Sequence, residues 1–152
     1  MDALMLFTTS GSWSLMIVRL FLGVIFFAHG AQKLFGWFGG HGLKGTIGYF
    51  QTSLRIPPTL TVVAALTECV GGLAVFVGFL TRPAALGLIV VMLVAISKVH
   101  WRHGFFLNFS LQAGKGHGLE FNFALIGMAL AVFVGGGGAK SIDRLILAWL
   151  SR

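Results

Sequence analysis

Residues 13–34 read WSLMIVRLFLGVIFFAHGAQKL, and this run decides the fold class. As a helix it extends about 33 Å, enough to cross a hydrocarbon core of about 30 Å. Three further apolar runs follow. One begins after Pro57 and covers 58–80, one covers 83–101, and one covers 119–135 and ends in Gly135–Gly138. Pro58 and Pro83 suit the first turn of a helix, where a missing N–H breaks no hydrogen bond. The four glycines suit a helix stop. Residues 141–150, SIDRLILAWL, predict a short amphipathic helix that cannot span and lies at the membrane interface. Residues 36–56 are rich in glycine and read as a loop with one interfacial turn. The expected fold is an all-α membrane protein. Its single domain, 1–152, is a bundle of four transmembrane helices with a C-terminal interfacial helix.

Composition supports this reading. Of the 152 residues 57% are hydrophobic and 10% charged, against about 25% charged in an ordinary soluble domain. With a mean hydropathy of +0.91, a 16.3 kDa chain cannot hide its apolar surface from water. Disorder and a soluble enzyme with a charged shell are excluded. The net charge of +7 would suggest nucleic acid in a soluble protein. Here the basic residues cluster at the ends of apolar runs, where they anchor to lipid or set topology, and no nucleic-acid partner is expected. Cys69 is the one cysteine, so the chain has neither a disulfide framework nor a C-x-x-C relay. Residues 1–18 lack Lys and Arg, so the charged start of a cleaved signal peptide is missing and the first run is expected to be retained.

The four tryptophans fit the layout. Trp13 and Trp149 fall at the membrane surface nearer the termini, and Trp37 and Trp101 at the other, where indole rings prefer to lie. Arg82, Lys140, Arg144 and Arg152 lie on the terminal side; Lys44, Arg55, Arg102 and Lys115 lie opposite. Arg82 occupies a very short loop, which favours both termini in the cytoplasm. Gly40-His41-Gly42-Leu43 recurs as Gly116-His117-Gly118-Leu119, each copy after an odd-numbered span. A duplicated helical hairpin and coincidence in a glycine-rich chain both account for that.

Ionisable groups inside a span are costly and mark either a site or an internal pair. Arg19 falls about 9 Å into the first span and Glu68 about 15 Å into the second from the other side, within reach of an ion pair. Such a pair serves packing or a substrate equally well. His29 and Lys33 share a helix face at i,i+4, with Gln32 adjacent. Lys98 and His100 end the third span, and Glu120 and Asn122 begin the fourth. Either lysine alone could snorkel to headgroups. Together, His29, Lys33, Lys98, His100 and Glu120 suggest a polar pocket at one end of the bundle. Imidazole and ammonium donors beside Phe26, Phe27, Phe35, Trp37, Trp101, Phe105 and Phe106 suit the carbonyl oxygens and ring of a quinone. A lipid headgroup would suit the same donors. The five histidines match no fixed metal or haem ligand motif, and no covalent cofactor is expected. Gly127, Ala131 and Gly135 form a small-residue stripe that suits close packing within the bundle.

Several segments together resemble the DoxX family of small bacterial membrane proteins. They are Arg19 with FFAHGAQKLFG at 26–36, Glu68-Cys-Val-Gly-Gly-Leu with Gly78 and Thr81-Arg82, His100-Trp101 with Gly104-Phe105, Glu120, and Ser141-Ile-Asp143. The resemblance covers almost the whole chain. It implies a four-helix bundle in the bacterial inner membrane linked to respiratory or redox systems; the family takes its name from a subunit associated with a terminal quinol oxidase and thiosulfate:quinone oxidoreductase. Some members are associated with oxidative-stress complexes. The implied functional positions are Arg19, His29, Lys33, Glu68, His100, Glu120 and Asp143. Family sequences often place Gly-Pro-Gly before the Ser-x-Asp element, where this chain has four glycines. The leading expectation is a non-catalytic subunit that binds quinone or quinol, with the redox centre on a soluble or membrane partner. The alternatives are a binding or transport protein for a lipid-like or acidic molecule, and a scaffold. Assembly with further copies of the chain is compatible with each.

Overall fold

The computed structural model describes residues 7–152; the first six, part of the N-terminal stretch that lacks Lys and Arg, lie outside the described residues. Among those described, the chain is helical and has no strand. Helix α1 is Trp13–Phe35, α2 is Gly42–Ser53, α3 is Pro58–Val77, α4 is Thr81–Ala95, α5 is Glu120–Gly135 and α6 is Ile142–Leu150. A π turn, Ile96–His100, and a 3₁₀ turn, Trp101–His103, extend α4. By length and composition, Trp13–Phe35, Pro58–Val77 and Thr81–His103 can each cross a membrane, whereas α5 is apolar but shorter at 16 residues.

Local signals set these limits. The Ser12 hydroxyl accepts from the Leu15 N–H and starts α1, while Gly36, at φ 75°, ends it. Pro58 opens α3, and Gly78, also at φ 75°, closes it. Pro83 lies in the first turn of α4, which begins at Thr81, before the proline itself.

Helices α1, α3, α4 and α5 share one core, built from Leu22 and Phe26, Val75, Leu88 and Met92, and Leu125 and Val132. The closest pair is α1 with α3. A Cβ at Gly23 would lie 2.7 Å from the Phe76 backbone, one at Gly72 would lie 2.5 Å from Phe27 N, and one at Gly30 would strike the Cys69 backbone. The two antiparallel helices therefore touch backbone to backbone, and a side chain at any of these positions would force them apart. On the outside, Phe21, Val70 and Val134 are 66%, 60% and 70% exposed, an apolar perimeter that suits lipid.

Three sequence expectations change. Residues 42–53 form α2, a full helix; its apolar positions Leu43, Ile47 and Phe50, with Leu54 at its C-cap, repeat at helical spacing, which Gly42, Gly45 and Gly48 disguise. The Thr46 hydroxyl donates to the Lys33 carbonyl at 3.3 Å and ties α2 to the end of α1. The stripe on α5 packs within the chain only at Gly135, where a Cβ would strike the Leu15 side chain; a Cβ at Gly127 would meet nothing within 4 Å, and Ala131 is exposed. The four glycines do more than stop α5, because the N-terminal segment lies against them. Gly138 N–H donates to Thr9 Oγ1 at 2.7 Å, and Ala139 N–H to the Ser12 carbonyl at 2.9 Å. A Cβ at Gly138, where φ is 72°, would come within 2.7 Å of that carbonyl oxygen.

Candidate functional site

The α1–α3 register decides which charges meet. With Gly30 against Cys69, Lys33 faces Glu68, and its ammonium donates to Glu68 Oε2 in the one salt bridge among the described residues. Glu68 is buried. The expected Arg19–Glu68 ion pair is therefore not formed. Helical depth alone left Arg19 within reach, but Gly23 against Phe76 seats Arg19 at the far end of α3, more than two turns from Glu68.

Arg19 is buried and is satisfied by carbonyl groups. Its Nε donates to Gly137 O at 2.7 Å, Nη1 to Phe76 O, and Nη2 to Lys140 O at 3.1 Å. Asp143, also buried, supplies the nearby countercharge. Its carboxylate accepts from Leu80 N–H at 2.7 Å, Thr81 N–H at 2.9 Å and the Thr81 hydroxyl. Those contacts cap α4 and hold Leu80 at φ 44°, a left-handed conformation disfavoured for leucine. Arg19, the glycine run and Ser141-Ile-Asp143 thus join α1, the α3–α4 turn and α6 in one polar clasp.

At the other end of the bundle is a cavity of about 1170 Å³. Of the residues expected to form a pocket there, His29, Lys33, Lys98 and His100 line it together, with Glu68 and Asn122. Glu120 does not. Its Oε2 accepts from Leu107 N–H at 3.1 Å and secures the 104–119 loop. His117 reaches the cavity from that loop, whereas His41 is exposed at the start of α2. The aromatic wall also differs from expectation. Phe26 lines the cavity, but its other aromatic rings are Tyr49, Phe50 and Phe121. Phe27 and Phe35 each pack against Trp37, and Phe105 packs on Phe106 at 5.3 Å.

Hydrogen bonding defines what the histidines present. His100 Nδ1 lies 2.8 Å from the His117 carbonyl, so Nδ1 donates and a neutral ring keeps Nε2 as an acceptor. His117 Nδ1 accepts from Asn108 N–H at 3.3 Å, which leaves Nε2–H as a donor. The π turn widens α4 where Lys98 and His100 project, a feature common at functional sites. Away from this polar end, Leu60, Val63, Leu86, Val90 and Val94 line the cavity while remaining exposed, so it opens between α3 and α4 on the apolar perimeter. Ring donors and acceptors at one end and an apolar channel beyond them suit an amphipathic ligand with a polar head.

A model of the DoxX family matches residues 14–101. The chain is 28% identical over 131 residues to a Bacillus subtilis (strain 168) protein named "Putative oxidoreductase CatD", covering 86% of this chain and 85% of that protein. It is 30% identical, again over 131 residues, to the Escherichia coli (strain K12) inner membrane protein YqjF, covering 86% and 90%. No solved structure matches. The family match spans more than half of the chain, and it includes His29, Lys33, Glu68, Lys98 and His100: the protein belongs to the DoxX family.

Proposed function

We propose that this protein is a quinone- or quinol-binding subunit of a redox or oxidative-stress system in the bacterial inner membrane. The observation that carries the reading is the cavity, apolar along most of its length and polar at one end, where His29, the Lys33–Glu68 pair, Lys98 and His100 converge. The relative named as an oxidoreductase supports a redox role, and the inner membrane relative supports the location. The ring would lie among His29, Lys98 and His100, with donors for its carbonyl oxygens and His100 Nε2 to accept from a quinol hydroxyl. Lys33 and Glu68 neutralise each other below it. The redox centre is assigned to a partner protein, because the sequence carries no paired cysteines and no haem attachment motif.

The proposed topology has four crossings: α1, α3, α4 with its extension, and α5. Helix α5 is about 24 Å long, so it crosses by local thinning of the bilayer and with help from flanking residues. Helix α6 exposes Leu145 and Trp149 and lies at the interface on the side of the termini, which is cytoplasmic.

A second reading has support in the charges. Lys98 and Arg55 line the cavity, and Glu68, its one acid among the described residues, is already paired. An anionic lipid-like molecule, bound or transported, would find cations there. Lipid extraction from gently purified protein tests the two readings. Quinone retained by the wild type and lost in His29→Ala supports the first; an anionic lipid lost in Lys98→Ala, without quinone, supports the second.

A further inference from the structure

A second cavity, of about 420 Å³, shares Thr67, Pro83 and Gly87 with the first and continues past Gly71 and Ala84. The two form one track between α3 and α4, from the polar end near Lys98 toward the α3–α4 turn. From Lys98 to Gly87 the track runs about 16 Å along the helix axis, the length of about a dozen methylene groups. Glycine at 87 keeps it open: a Cβ there would lie 3.1 Å from Thr67 Cγ2, on the facing helix. A Cβ at Gly71 would lie 3.4 Å from Leu88 Cδ2. Neither glycine is needed for a left-handed turn, since both lie within regular helix.

We propose that this track is a tail-binding subsite, in which a single hydrocarbon chain runs past Gly87 and Thr67 while its headgroup stays among His29, Lys98 and His100. The ligand enters sideways from the bilayer between α3 and α4. The occupant is a single chain because the track is continuous with the polar site at one end only, and because its wall at Gly71, Ala84 and Gly87 lacks bulky side chains. The subsite rests on the proposed binding of a lipid-tailed ligand, but not on whether its headgroup is a quinone or an acid.

Two photoprobes test it, both with an alkyl tail ending in a diazirine. One carries a benzoquinone and the other a carboxylate. They are cross-linked to the wild type, Gly87→Leu and Gly71→Leu in nanodiscs, and the labelled peptides are read by mass spectrometry. The expected result is quinone-probe label on 67–71 and 84–87, displaced by untagged quinone and lost in both variants. Label there from the carboxylate probe alone upholds the subsite and overturns the quinone reading. Displaceable quinone label elsewhere in the cavity, such as beneath α2, overturns the subsite and leaves quinone binding intact. Label no stronger there than on lipid-facing Phe21 and Val24, for both probes, also overturns the subsite. Two variants at different helices separate a blocked track from a folding defect, and unchanged thermal midpoints identify the variants that count.

Discussion

Lys33 carries two burdens, one for the fold and one for the site. It neutralises buried Glu68 and lines the cavity one helical turn from His29. Removing the lysine leaves an unpaired carboxylate in an apolar surround, a loss of about 3–5 kcal/mol for buried pairs. Lys33→Ala is therefore expected to lower the thermal midpoint sharply in detergent, and Lys33→Ala/Glu68→Ala to regain much of it. If the double variant is no more stable than the single ones, the pair is not the source of the loss. His29, Lys98 and His100 are cleaner probes of ligand binding, since no charged partner depends on them. The type and depth of these residues were legible in the sequence, but their pairing was not. Depth along an isolated helix gives no register, so Arg19 and Lys33 were both within reach of Glu68. The glycines at 23, 30 and 72 held the missing information, as they mark where two backbones touch.

Among the elements, the clasp around Asp143 decides whether the C-terminal helix stays docked. Its carboxylate satisfies two backbone donors and a hydroxyl, all at or next to the start of α4. Asp143→Ala is expected to cost about 3 kcal/mol and to make α6 an early site of proteolysis, while Asp143→Asn retains part of the docking. Equal protease resistance in all three proteins would contradict that role. Pro58, the glycine run and Ser141 were readable as helix limits, because each acts through its own backbone or nearest neighbours. Helix α2 was not readable as one: three glycines lower helix propensity, and docking on α1 through Thr46 outweighs them. That omission hid Tyr49 and Phe50 from the cavity wall. Glu120 misled for the converse reason, as a carboxylate beside the site that serves a loop.

At the scale of the whole molecule, a polar clasp closes the bundle at the end bearing the termini, and a cavity opens between helices toward the other. The two GHGL segments lie at that cavity end, but only the second reaches the cavity, through His117 and Gly118. Composition made membrane residence plain, whereas a cavity shared by five helices and a loop has no signature in a linear pattern. The proposed topology predicts that single cysteines at Lys115 and Arg55, in a Cys69→Ala background, react with a membrane-impermeant maleimide added to intact spheroplasts. Cysteines at Arg82 and Arg152 should react only after lysis. Labelling of Arg82 and Arg55 from the same side would contradict four crossings.

The central claim is that the polar end of the cavity holds a quinone ring, and equilibrium titration of a tailed benzoquinone into the protein in nanodiscs tests it most directly. Saturable binding by the wild type, weakened about tenfold or more in both His29→Ala and His100→Ala with thermal midpoints unchanged, is the expected result; the loss of one hydrogen bond to the ring accounts for that size. Binding that does not saturate, or that both variants retain in full, would contradict it.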